Sequence, residues 1–444
     1  MVFRARPVSD DYGQSMRVCL RTATVSLLCV TIGPALVLVG QQPAYADTGQ
    51  HGRRHITYTR WSSDREFAAG TRRGVAIAGG ALHIGSPAGS LVYTDPYGGG
   101  VARTYDWGRW TSPWSRPGFG LTQLIASWNA QTPGRTWLWI QARGRSRSGT
   151  VSSWDTLGRW AGLDQRFHRM SLGRQPDDLA HVMVDTLAVR SGVRLRGFQL
   201  RVTLLRRKGS HVSPTLRSIG AMVSRLPRVS HVPRSHPGLA GAKSMHVPRY
   251  SQMIHRGEYP QWDNGGEAWC SPTSTAMVLA YWHRGPTPAQ YAWVNDSYRD
   301  PWVDYAARFV YDYRYDGTGN WPFNAAYAAR FDLDTFVTRL RSLREAERFI
   351  KAGIPLVASI AFGPGELDGS PISSSPGHLL VIVGFTAKGN VIVNDPAAKS
   401  SRGVRRVYRR GQFENAWIPT TGGVVYVIHP PSKRLPPRHG NTNW

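Results

Sequence analysis

The chain has 444 residues, more than one domain of ordinary size, so two folded units plus ends are expected. With 41% hydrophobic residues, 47 Gly and 17 Trp, its composition is that of a globular protein. The formal charge of +27 suits acidic envelope polymers, anionic membranes or nucleic acid. However, the arginines are scattered through apparent strands and loops with no zinc-finger or single-strand-binding pattern, and no nucleic acid is expected as a partner.

Arg4, Arg6, Arg17 and Arg21 precede an apolar run from Ala23 to Val39, and Ala44-Tyr45-Ala46 forms a small-x-small site before Asp47. This reads as a secretory signal over residues 1–46, and hence a secreted, extracellular or cell-wall-associated protein. An uncleaved anchor competes with that reading, but the run is short and contains Pro34. No later segment reaches spanning length without charge. Of the three cysteines, Cys19 and Cys29 lie in the signal, so the processed chain would keep Cys270 as a lone thiol, either buried or working.

Residues 55–225 read as short strands divided by Gly, Pro, Ser and Asp turns, among them 74–84, 122–130, 135–144 and 193–207. This predicts an all-β, sandwich-like domain. It carries Trp107, Trp110, Trp114, Trp128, Trp137, Trp139, Trp154 and Trp160, which serve either as core or as an exposed binding face for sugars or peptides. Residues 226–244 lack periodicity and are rich in Pro, Gly, Ser and His, as a linker would be.

The stretch from Glu258 to Trp282 opens as a polar loop and turns helical at Ser271, with Pro272 in the first turn. Thr273, Met277 and Ala280–Tyr281 recur at helical spacing on one buried face. Cys270 thus meets the positive end of a helix dipole, which favours a thiolate nucleophile. Residues 334–353 read as an amphipathic helical region and 354–362 as a buried strand. Residues 378–398 read as a β-hairpin turning at Lys388-Gly389-Asn390. His378 opens its first strand and Asp395 ends the second, broadly opposite or on neighbouring registers. An imidazole beside a carboxylate is a base with its orienter. Residues 431–444 read as a loose basic tail.

VPRYSQ, WCSPTSTAMVLAYW, GHLLVIVGF and VIVNDP together resemble the C39-like cysteine peptidases of the papain-like superfamily, over roughly residues 245–430. The resemblance implies an α+β papain-like domain after the β domain, with Cys270 as nucleophile, His378 as general base and acid, and Asp395 as its orienter. A glutamine of the oxyanion hole falls on Gln252, with Gln261 as a rival nearer the cysteine. The chain has Cys270-Ser271-Pro272 where the family often has Cys-Gly-Pro.

The function expected is hydrolysis of peptide bonds in a peptide or protein substrate by a cysteine-type peptidase, with no metal and no organic cofactor. Two alternatives stand beside it. One is a cell-wall amidase or transglutaminase-like acyl transferase using the same chemistry. The other is a non-catalytic cell-wall or carbohydrate-binding protein.

Overall fold

The computed structural model describes residues 53–444 apart from 174, 176 and 177, so the expected signal segment lies outside the described residues. No helix among the described residues is long and apolar enough to cross a membrane. The first part is all β with one short helix, and the second is mixed α and β, as the strand and helix patterns predict.

The β domain is two facing antiparallel sheets. The outer sheet is built on the strand Leu195–Arg207, which pairs with Ala102–Thr111 on one side and Thr136–Ser146 on the other. Strict alternation turns Phe198, Leu200, Val202 and Leu204 inward and leaves Gln199, Arg201 and Thr203 on the outward face. The inner sheet centres on Gln123–Gln131 paired with Thr215–Arg225, and its Leu124, Ala126, Trp128 and Val223 meet the outer sheet's apolar side. Of the eight tryptophans, Trp110, Trp128, Trp137 and Trp160 are buried, whereas Trp107, Trp114, Trp139 and Trp154 are half-buried.

The second part has its own antiparallel sheet, ordered Asp334–Arg339, Val424–His429, Leu356–Phe362, Ser375–Phe385, Val391–Asn394 and Arg405–Tyr408. The helix Cys270–Tyr281 packs on it. It is buried on every side from Ser271 to Leu279, rather than on one face, because the helices Pro301–Val310 and Trp321–Ala328 cover its other flank. Three of its buried hydroxyls find partners inside: Ser274 donates to the Leu379 carbonyl at 3.1 Å, Ser271 meets the Tyr426 hydroxyl at 3.0 Å, and Thr275 donates to Asn324 at 3.3 Å.

Residues 334–353 do not form one helical region. Asp334–Arg339 is an edge strand paired with Val424–His429, and the helix covers only Leu343–Lys351. The β-branched residues Thr335, Val337 and Thr338 favour the extended form, and a place in the sheet decides it. The open side of this edge strand is closed by the β domain. The Asn129 side chain donates to the Thr335 carbonyl at 3.0 Å and accepts from the Thr335 N–H at 3.1 Å, while Ser127 Oγ accepts from the Val337 N–H at 2.8 Å. Arg60 holds Asp334 through two bonds of 2.7 and 2.6 Å. Trp128 and Trp160 both lie against Phe323, and a single apolar core runs through both parts.

The segment expected as a linker has almost no regular structure, yet it is strapped to the second part. Val232 N–H donates to Asn415 at 2.8 Å, Ser235 N–H to Glu414 at 2.8 Å and Gly238 N–H to Glu347 at 2.6 Å. Nor is the C-terminal stretch loose. Asn443 and Trp444 are 0% and 1% exposed, and the Trp444 indole donates to the Pro436 carbonyl at 2.9 Å and packs edge-on against Phe349. The Asn443 amide donates to the Arg339 carbonyl at 2.8 Å, and the Tyr58 N–H reaches the Thr442 carbonyl at 2.7 Å, so the stretch joins both parts. Its basic composition hid two anchoring residues. Trp444→Ala is therefore expected to destabilise the protein by about 3–5 kcal/mol in chemical denaturation, the usual cost of emptying a buried tryptophan site; a loose tail would leave the midpoint unchanged.

Candidate active site

Cys270 is the first residue of the buried helix and is itself partly exposed. Trp269, wholly buried, fixes the approach: its indole donates to the Trp262 carbonyl at 2.6 Å and its N–H to the Gly266 carbonyl at 3.1 Å. Gly266 lets the loop close. A Cβ there would sit 2.3 Å from the Gln252 carbonyl oxygen, so only glycine lets the two segments approach.

His378 lies on the strand Ser375–Phe385, paired with Ile360, and is 2% exposed. Its Nε2 is 2.8 Å from Asp395 Oδ1. The Cys270 thiol is near enough to add to the forces that raise this imidazole's pKa. The hairpin pairs Val381 with Asn394, and continuing that register sets Asp395 opposite Leu380, so the imidazole reaches the carboxylate along a diagonal. The sequence leaves open whether the two residues lie directly opposite or on neighbouring registers after a bulge; the contact observed is the diagonal one.

Asp395 is fully buried and well supplied with donors. Besides His378, Oδ1 accepts from the Ala397 N–H at 3.0 Å and Oδ2 from the Tyr408 hydroxyl at 2.6 Å. Burial alone would raise its pKa, but the His378 charge and these hydrogen bonds hold it below the usual carboxylate range. Burial likewise opposes the charged form of His378. The Asp395 carboxylate outweighs it, aided by the hydrogen bond to Asp395 and by the nearby Cys270 thiol, and the imidazole is pushed up to about 10. The site thus favours an imidazolium across the neutral range.

Gln252 begins a short turn, Gln252–His255, and is 3% exposed. Its N–H donates to the Pro396 carbonyl at 2.9 Å, directly after Asp395, and its side-chain Nε2 donates to the Glu267 carbonyl at 2.7 Å. A primary amide carries a second hydrogen beyond that bond. Gln261, the rival, is exposed in the loop beside Trp262.

Three supporting residues escaped the sequence reading. Tyr408 comes from a basic stretch that gives no sign of a buried hydroxyl. Asn394 donates to the Pro248 carbonyl at 2.9 Å and accepts from Arg405 Nε at 2.7 Å, tying the VPRYS segment to the hairpin; its place beside Asp395 was the available signal. Trp269, beside the cysteine, was the third. Elsewhere, the ligand atoms of His255, Glu258 and Asp304 lie within 4.8 Å of one another, all buried, and are the described residues with a donor set for a cation. They already satisfy one another in part, with His255 Nδ1 at 2.6 Å from Glu258 and 3.3 Å from Asp304.

Comparison with known proteins gives two family matches. Residues 57–224 match the Peptidase C39 N-terminal domain, and residues 244–425 match the Peptidase_C39 like family. No curated protein matches. Among solved structures, one from Bacillus anthracis assigned to the C39-like peptidases is 20% identical, with 44% of this chain and 98% of that chain aligned and a TM-score of 0.28. Another, the CBM22-1–GH10 modules of Clostridium thermocellum endo-1,4-beta-D-xylanase 10B complexed with xylohexaose, is 8% identical over 44% of this chain and 30% of that chain, with a TM-score of 0.17. Likenesses at this level establish neither activity nor substrate. The two family matches lie in succession along the chain, and residues 244–425 match the C39-like peptidase family.

Proposed function

We propose that the protein is a cysteine peptidase acting outside the cell, with Cys270 as nucleophile, His378 as general base and acid, Asp395 as the group that orients and charges the imidazole, and Gln252 in the oxyanion hole. The observation that carries this reading is a buried imidazole bonded to a buried carboxylate, with the Cys270 thiol at a helix start among the groups that raise that imidazole's pKa. Burial of the Gln252 amide beside Pro396 favours it over the exposed Gln261.

The sulfur of Cys270, paired with the imidazolium, attacks the carbonyl carbon of the scissile peptide bond. The carbonyl oxygen takes up the displaced electron pair and is met by the Cys270 N–H and Gln252 Nε2. His378 then passes its proton to the leaving amine as the C–N bond breaks, leaving a thioester on Cys270. Water, deprotonated by the now neutral imidazole, attacks the thioester and releases the acid, restoring the pair. An amidase or acyl transferase would run the same first half-reaction with a different acyl donor or acceptor. Product analysis on peptides and on cell-wall fragments separates these readings.

Cys270→Ala is expected to lower turnover by about 10⁴-fold or more while leaving the thermal midpoint near that of the parent. Iodoacetamide at pH 7 is expected to alkylate Cys270 faster than free cysteine; a rate no faster than free cysteine argues against the ion pair.

The raised His378 pKa has a calculable sign. Stabilisation from its charged form is complete below its ordinary value of 6.5 and is lost as pH rises through about 10. Activity should fall on the alkaline side over that window, and Asp395→Asn, which removes the charge that raises the imidazole, should move the fall to lower pH. An unmoved limb would assign it to another group.

Tyr408→Phe removes a donor to the buried carboxylate and is expected to cost about 1.5–3 kcal/mol. Asp395 contributes stability above the ordinary carboxylate pKa that is lost as pH falls, so this variant should begin acid unfolding at a higher pH than the parent. Denaturation midpoints followed from pH ~5 downwards test this.

A further inference from the structure

The inner sheet lies between the outer sheet and the catalytic domain, so the outward face of Leu195–Arg207 and its neighbours is turned away from the active site. Register places Arg109 opposite Thr203, Thr203 opposite Trp139, and Trp139 opposite Arg159. Further along the same face come Arg201, then Arg143 opposite Gln199, then Arg145 opposite Gly197. The guanidinium groups lie over indoles. Arg201 is 3.8 Å from the Trp154 ring centroid, Arg143 4.5 Å from the same ring, Arg145 4.1 Å from Trp114, Arg109 4.8 Å from Trp107 and Arg159 5.0 Å from Trp139.

Among the described residues none of Arg109, Arg143, Arg145, Arg159 and Arg201 enters an ion pair. Elsewhere some buried or partly buried arginines have acidic partners, Arg60 with Asp334, Arg308 with Asp164 and Arg410 with Glu347, while Arg169 and Arg339 are held by carbonyl and side-chain oxygens. On the outward face the guanidinium groups crowd one another instead. Burial, then Arg109 and Arg143, depress Arg201 to about 10, and burial, then Arg145, lowers Arg143. The Nε atoms of Arg145 and Arg201 have no hydrogen-bond partner. At the end of the row, Trp114, Arg116, Arg145, Arg147 and Arg196 line a cleft of about 280 Å³.

We infer that this face binds an anionic glycan, a chain of sugar or polyol units bearing phosphate or carboxylate groups. Like charges held together by aromatic supports, with no acidic partner of their own, are a site in which anions supply the missing charge. Outward positions along a strand recur every two residues, about 7 Å apart, so the row matches a polymer with repeated charge rather than a single ion. The choice of glycan over nucleic acid follows from the stacking. The indoles are already covered by guanidinium groups, which denies bases the open aromatic platforms that single strands use. A neutral sugar chain, which needs the same open platforms, is disfavoured too.

The test uses the whole protein and follows binding by tryptophan fluorescence, since Trp114 and Trp154 lie under the arginines. The probes are poly(glycerol phosphate), polygalacturonate, neutral dextran and a single-stranded oligonucleotide of matched charge. Saturable binding of either anionic chain, with no response to dextran and weaker binding of the oligonucleotide, is the expected result, and the two anionic probes separate phosphate from carboxylate as the preferred group. The triple variant Arg143→Gln, Arg145→Gln, Arg201→Gln should weaken that binding by about tenfold or more at moderate salt and flatten its salt dependence. Arg→Lys at the same three positions keeps the charge but alters the stacking; it distinguishes a built site from bulk positive charge by binding more weakly than the parent. An unaltered circular dichroism spectrum excludes misfolding. Equal affinity in parent and Gln variant, equal affinity in parent and Lys variant, or tighter binding of the oligonucleotide overturns the inference.

Discussion

The exchange between Asn129 and Thr335 is the constraint on which the rest depends. An edge strand presents unpaired N–H and C=O groups that must be covered or hydrated. Here a side-chain amide takes the place of a neighbouring peptide, accepting from the Thr335 N–H and donating to its carbonyl. Ser127 extends the pairing to Val337, and Arg60 closes it at Asp334. The β domain thereby completes the catalytic sheet from outside. Removing it would expose the sheet edge together with Phe323, which packs on Trp128 and Trp160. The sandwich is therefore a structural partner of the C39-like second part, whatever its outer face binds.

Within the catalytic domain the same economy of satisfied groups organises the site. A buried carboxylate is tolerable when donors surround it, and Asp395 has His378, Tyr408 and the Ala397 N–H. Its charge then holds a proton on an imidazole that burial alone would strip. Glycine at 266 and the buried Trp269 bring the cysteine loop down onto Gln252, whose own backbone is tied to Pro396. The loop before Cys270 and the turn after Asp395 are therefore joined through Gln252.

The strands, the buried helix and the hairpin were legible because each has a strong local signature: period-two alternation from 195 to 207, a first-turn proline at 272, and a glycine turn at 389. Cys270 and Asp395 could be singled out because each stands at an end of such an element, and His378 because the apolar run begins just after it, although its strand starts three residues earlier at Ser375. What depended on distant partners was not legible. Asp334–Arg339 has β-branched residues in a helix-like neighbourhood, and only pairing with Val424–His429 makes it a strand. Tyr408 faces the site because Arg405–Tyr408 pairs with Val391–Asn394, which a basic run does not announce. The segment before the catalytic domain was legible as irregular, but not as bound, since its partners Glu347, Glu414 and Asn415 lie far along the chain.

The stretch ending in Trp444 also bears on how the molecule is assembled. Thr57 and Thr442 touch although 385 residues separate them, and Asn443 bridges the catalytic sheet at Arg339 to the helix residue Glu345. Contacts at such a separation carry a large loop-closure entropy and are rewarded only once both flanking surfaces exist. This one therefore belongs to the final stage of folding, acting as a clasp over two parts that have already formed. Unfolding should begin by releasing this clasp, so the rate at which residues 442–444 detach would govern how long the folded protein survives in a protease-rich setting.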